Sequence, residues 1–183
     1  MVPEEWVQAI LDSNSGRKKG CCGENKLLHI LENNGFKKVD NWKDFLETEK
    51  CVTRFSKIFD LKAVRQNLNI KIDTHKQDKR LDLIIKNCEK LFLLEAKHLN
   101  TAGGGQDKQL SELIELLTLS EKDKNIFYIA FLDGNYSNIL LGDDHVRGKL
   151  KIQRQEIKKF LKKNPNNYWV NTDGLKELLG CNL

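Results

Sequence analysis

The stretch Leu81-Asp-Leu-Ile-Ile-Lys-Asn-Cys-Glu-Lys-Leu-Phe-Leu-Leu-Glu-Ala-Lys97 decides the fold. Two apolar runs, Leu81–Ile85 and Leu91–Ala96, flank the polar segment Asn87-Cys-Glu-Lys90. Short apolar runs around a polar turn predict two strands of a β-hairpin. If the turn holds an even number of residues centred on Cys88 and Glu89, paired positions sum to 177. Asp82 then lies opposite Glu95, with Cβ atoms about 4.5–5.5 Å apart. Lys97, two residues beyond Glu95, projects from the same face. A three-residue loop would shift the register by one and send the carboxylates to opposite faces. Ile84 and Leu93 share the face of Asp82 and Glu95, while Leu81, Leu83, Ile85, Phe92 and Leu94 fill the other. Both faces are apolar, so helices should cover both.

Two opposed carboxylates in such a setting repel each other and are poorly hydrated, which is costly unless a cation joins them. Mg²⁺ suits this need, because it binds oxygen ligands through one or two carboxylates and keeps waters. A metal-bound water of lowered pKa can attack a phosphodiester. Lys97 would orient that water or stabilise charge developing on the phosphate. The alternative is structural: Lys97 neutralises Asp82 and Glu95 as a cross-strand ion pair.

Upstream, Pro3, Trp6, Ile10 and Leu11 read as a short helix, followed by the glycine-rich basic loop Asn14–Gly23. Glu24 opens a second helix with Leu27, Leu28 and Leu31 on its apolar face, and Gly35 stops it. His29 on this helix reads as packing or surface. Across residues 41–79 the periodicity is weak, with Trp42, Phe45 and Leu46 favouring a helix and Asn67–Ile72 a strand. Downstream, Thr101–Gly105 reads as a loop, and Leu110, Leu113, Ile114 and Leu117 recur at helical period. Ile126–Phe131 reads as a buried strand and Tyr168–Val170 as a short one, with Thr172 capping a last helix through Leu179. Strands alternating with helices predict an α/β layered fold.

A chain of 183 residues suits one domain. Its 39% hydrophobic and 31% charged content is that of a globular protein rather than a disordered one. No apolar run approaches the roughly 18 residues of a membrane span. The start Met1-Val-Pro-Glu-Glu-Trp lacks the basic and apolar regions of a secretory signal. The five cysteines include the adjacent pair Cys21-Cys22 and no CxxC spacing, which argues against zinc and for reduced thiols in the cytoplasm.

The net charge of +5 is unevenly spread: between Val146 and Lys163 eight Lys or Arg stand against one acid, a local +7, leaving −2 elsewhere. A long helix is expected here, with Val146, Leu150, Ile157, Phe160 and Leu161 facing the core. Arg147, Lys151, Arg154, Lys158 and Lys162 form a second stripe. Such a stripe either meets phosphates of a polyanion or serves as a solvated face.

Asp82, twelve intervening residues and then Glu95-Ala96-Lys97 on a hairpin resemble the PD-(D/E)XK motif of type II restriction endonucleases. Gln106 and Gln109 resemble the polar residues that those nucleases carry just after the motif. The loop Ser15–Gly20 and Glu24 resemble the N-terminal helix that adds an acid to the metal site. The resemblance covers roughly residues 15–135, and Leu81 stands where the motif has proline. It implies a single nuclease domain over residues 1–183, with a mixed central β-sheet flanked by α-helices on both faces. It implies Mg²⁺ held by Asp82 and Glu95, with the Ala96 carbonyl and Glu24 as further ligands, and Lys97 as the catalytic lysine. His98 follows Lys97, points to the opposite face and is left aside as a catalyst. The implied partner is double-stranded DNA, contacted by Arg17, Lys18, Lys19, Gln106, Arg147, Lys151, Arg154 and Lys158. A palindromic site would require a two-fold homodimer, and a partner subunit could instead supply specificity. A repair, resolvase or nicking enzyme, or a non-catalytic DNA-binding module, remains an alternative.

Overall fold

A computed structural model describes residues 21–73, 81–100, 104–142 and 147–180. In chain order its elements are α1 (Cys21–Asn33), β1 (Lys37–Lys38), α2 (Trp42–Glu47), β2 (Lys50–Arg54), α3 (Leu61–Leu68), β3 (Leu83–Asn87) and β4 (Lys90–His98). There follow α4 (Gly104–Leu116), β5 (Ile126–Asp133), α5 (Asn135–Gly142), α6 (Lys149–Lys163), β6 (Asn167–Val170) and α7 (Thr172–Leu179). The expected first helix around Trp6, the basic loop with Arg17, Lys18 and Lys19, residues Thr101, Ala102 and Gly103, and Val146 lie outside the described residues.

The expected hairpin joins β3 to β4 through the two-residue turn Cys88-Glu89, where Cys88 takes a φ of 53°. Its pairs run from Leu83↔Leu94 to Asn87↔Lys90, the register of an even loop. The described strands form one six-stranded sheet in the order β1-β2-β3-β4-β5-β6. β2, β3 and β4 pair antiparallel, whereas β1 joins β2, and β5 and β6 extend from β4, in parallel. The sheet is therefore mixed, and it is covered on both faces.

On one face Ile84, Leu91, Leu93 and Tyr128 pack with Leu110, Leu113 and Leu117 of the α4 region and Ile157 of α6. On the other, Leu83, Ile85, Phe92, Leu94 and Phe127 pack with Leu27, Leu28 and Leu31 of α1 and Leu175 and Leu179 of α7. Each fully buried leucine of these stripes contributes about 1.5–3 kcal/mol. α1 ends as expected at Gly35, whose φ of 83° lets Phe36 N–H return to the Leu31 carbonyl.

Four local expectations are corrected. First, Asn67–Ile72 is not a strand. Asp60 caps α3 by accepting from Ala63 N–H at 2.7 Å, and the helix runs through Leu68. Asn69 and Ile72 then take positive φ, and side chains bind the backbone that a ladder would have used. The Arg65 guanidinium donates to the Lys71 and Ile72 carbonyls, and the Glu121 carboxylate accepts from both N–H groups. Second, Thr172 is the first residue of α7 and not its cap. The Asn171 side chain caps the helix by accepting from Gly174 N–H, while the Thr172 hydroxyl donates to Asp133 at 2.6 Å. Third, the basic helix starts at Lys149 behind Gly148, so Arg147 precedes it; along its inner face Gln153 is buried together with Ile157.

The fourth correction concerns the start of β3. The ladder stops at Leu83↔Leu94, one residue short of Asp82. Asp82 N–H donates to the Leu94 carbonyl, and the Asp82 carbonyl accepts from Phe55 N–H. The chain bends at Asp82, so alternation fails there: Leu81 packs in the core of Ile84 rather than in that of Leu83.

Candidate active site

β4 outruns β3. Glu95, Ala96, Lys97 and His98 keep β5 as a neighbour, pairing with Ala130, Phe131, Leu132 and Asp133, but have no β3 ladder on the other edge. Asp82 stands at that vacated edge. Its carboxylate accepts the Ala96 N–H at 2.7 Å, which ties it to the strand that carries Glu95 and Lys97. α1 approaches this end of the sheet from one face and α4 from the other. Between them opens a cavity of about 790 Å³, lined among others by Glu24, Asp82, Lys97, Gln106, Gln109 and Glu112.

Glu95 is only 3% exposed and accepts from the Lys97 ammonium at 2.6 Å. Glu112, on α4, lies 4.0 Å from the same nitrogen. Burial alone would push the Lys97 ammonium towards deprotonation, but Glu95 above all, then Asp82 and Glu112, outweigh it and hold the group above the ordinary lysine value. Lys97 is therefore a firmly charged cation at neutral pH.

Around this centre the charges are arranged in pairs. Arg54, at the end of β2, lies 3.6 Å from Glu24 and donates to the Asn25 side chain. Lys26 of α1 lies 3.6 Å from Asp133, which also accepts from Thr172. Gly134 shapes the neighbouring wall. At its φ of 97° a Cβ would stand 2.4 Å from the Leu99 carbonyl oxygen, so a side chain does not fit.

The residues expected on one site thus meet at one cavity: Asp82, Ala96 and Lys97 from the hairpin, Glu24 from α1, Gln106 and Gln109 from α4, with Glu95 buried behind Lys97. His98 lines it too, because the cavity wraps the strand end and reaches both faces. Arg17, Lys18 and Lys19 lie outside the described residues. On α6, Lys151, Lys158 and Lys162 are exposed and Arg154 is half-buried, while Arg147 is exposed ahead of the helix. Lys149 pairs with Asp107 at 2.5 Å, which joins the start of α6 to the start of α4 beside the cavity.

Glu112, Arg54, Lys26 and Asp133 were not expected. Glu112 was within reach of a sequence argument: Gln106, Gln109 and Glu112 recur every three residues, so a helix that turns the first two to a site turns the third there as well.

Among the described residues no three His, Cys, Asp or Glu side chains are grouped as a metal site. The expected donors, Asp82 and Glu95, are both carboxylates. That set fits Mg²⁺, which takes one or two carboxylates and retains water, better than Zn²⁺, which favours nitrogen and sulfur. No helix among the described residues is long and apolar enough to cross a membrane.

The family model described as DpnII restriction endonuclease matches residues 7–161 of this chain. No curated protein and no solved structure matches it.

Proposed function

Because the chain belongs to the DpnII restriction endonuclease family, we propose that it is a Mg²⁺-dependent type II enzyme, or the cleavage subunit of one, that hydrolyses phosphodiester bonds of double-stranded DNA. One observation carries this reading: Asp82, Glu95 and Lys97 meet where β4 outruns β3, against a cavity open to a substrate.

Asp82 and Glu95 would hold the Mg²⁺, with the Ala96 carbonyl and Glu24 as further oxygen donors. Bound there, the ion supplies Lewis-acid activation of water and neutralises phosphate charge. Lys97 holds a fixed positive charge at the cavity wall, suited to stabilising charge that develops on the phosphate. Asp82 is tied to β4 through the Ala96 N–H, so the strand that carries Glu95 and Lys97 also anchors Asp82. Gln106 faces the same cavity from α4 and is suited to hydrogen-bond the DNA strand. Arg147, Lys151, Arg154 and Lys158, with Arg17, Lys18 and Lys19, would contact phosphates along the duplex, which fixes register without reading bases. A homodimer would match a palindromic site; otherwise a partner subunit supplies specificity. Such an enzyme acts on DNA in the cytoplasm.

The test is incubation of the pure protein with plasmid DNA and Mg²⁺, followed by sequencing of the ends. Ends at one short sequence support the proposal. Scattered nicks would transfer the protein to repair or nicking enzymes, and intact plasmid in both Mg²⁺ and Mn²⁺ would leave a DNA-binding module.

A further inference from the structure

We infer that Glu112 is a positioning residue for Lys97: it receives the lysine when Glu95 is given over to a divalent cation. The inference rests on the reading of Glu95 as a metal ligand.

Lys97 Nζ sits 2.6 Å from Glu95 Oε1. A divalent cation bound by Glu95 competes with that ammonium for the same oxygen, and two cations held so close repel each other. The lysine must therefore shift. Glu112 Oε2 is 4.0 Å from the same nitrogen, at the outer edge of an ion pair. A small rotation of the lysine stem converts this approach into a direct contact. Lys97 and Glu112 are each 21% exposed, so neither has full access to water as a substitute partner.

Glu112 is also firmly mounted. It is set on α4 beside Leu110, Leu113 and Ile114, all buried in the sheet core. Its approach to Lys97 comes from a packed helix and not from a loop. Asp82, Glu95 and Glu112 all act on Lys97 to hold it charged, so Glu112 leaves the lysine a carboxylate when a metal takes Glu95. With Glu112 neutral, Lys97 has less reason to leave Glu95 and the metal binds against it.

The experiment is a double-mutant cycle on metal binding, with Mn²⁺ alone and no DNA, followed by calorimetry. Glu112→Gln should weaken Mn²⁺ binding about 10-fold in the wild-type background. In Lys97→Ala the same substitution should change it less than 2-fold, since no lysine remains to be received. An equal loss in both backgrounds would make Glu112 a direct ligand and overturn the inference, as would no loss in either. Glu112→Gln is near-isosteric, so its thermal melting should stay close to wild type, and a fall in melting that tracks the loss of binding would also overturn it. Absence of Mn²⁺ binding by the wild type would instead defeat the metal-site reading, and the inference with it.

Discussion

The carboxylate of Asp82 accepts the backbone N–H of Ala96 at 2.7 Å, at the point where the β3–β4 ladder has already ended. One oxygen of Asp82 thereby replaces the next strand residue as a partner for β4. The bend that frees this position also turns Leu81 into the core of Ile84.

Asp82→Asn and Asp82→Ala separate these two roles. The asparagine keeps an oxygen for Ala96 N–H, so its stability should stay near wild type. The alanine leaves that donor without its partner and should lose about 1–2 kcal/mol. Both should abolish Mg²⁺-dependent cleavage. Urea melts and plasmid assays on the two variants decide this, and near-normal cutting by Asp82→Asn would remove the residue from the metal site.

Lys97→Ala should cut the single-turnover rate by orders of magnitude while DNA affinity barely moves, because one lysine is a small part of a phosphate-contact surface. It should also destabilise the fold by roughly 2 kcal/mol or more, since Glu95 is 3% exposed and loses its ammonium partner. Adding Glu95→Gln removes the buried charge, so the double variant should be more stable than Lys97→Ala alone. A double variant that melts lower would show that the pair is not coupled in this way.

The exposed lysines of α6 give a third expectation. Lys151→Ala and Lys158→Ala should weaken binding to all DNA sequences alike. Each should lower the slope of log affinity against log salt by about one for every phosphate that is no longer neutralised. Cutting at saturating enzyme should hold. Arg154 is half-buried, so its removal mixes packing with charge and is the poorer probe. Unchanged isotherms at several salt concentrations for both lysine variants would make this face a solvated one.

Cys51 carries a pH expectation. It is fully buried, and burial pushes its thiol up from 9.0 to about 11, against the weaker opposite pull of Lys86 and Lys37. The fold favours the neutral thiol. Its contribution is full below the unfolded value of 9.0 and is lost as pH rises towards 11. The stability gap between wild type and Cys51→Ala should therefore shrink between pH 8 and pH 10.5, by up to roughly 2 kcal/mol. Alkylation at pH 8 should spare Cys51 and label the exposed Cys88 in the folded protein. Equal labelling rates for the two, read by peptide mass, would contradict the burial argument.

Much of this was legible along the chain, and for one reason: periodicity states which side of an element is buried. An even turn at Cys88-Glu89 set the β3–β4 register, two apolar faces demanded two layers of helices, and Leu110, Leu113 and Ile114 marked α4. Periodicity does not state what lies on the buried side. The membership of Lys50–Arg54 in the sheet depends on β3, some thirty residues downstream, and short runs such as Lys37–Lys38 carry no period at all. Asn67–Ile72 alternates like a strand, yet Arg65 and Glu121 satisfy its backbone, and Glu121 arrives from about fifty residues away. Thr172 reads as a cap until Asp133 takes its hydroxyl. The candidate site divides the same way. Asp82, Glu95 and Lys97 are near neighbours in sequence and were readable from hairpin geometry. The bend at Asp82, the arrival of Glu24 from α1 and the approach of Glu112 to Lys97 were decided by packing, because a carboxylate carried by a distant helix finds its partner only once both faces of the sheet are covered.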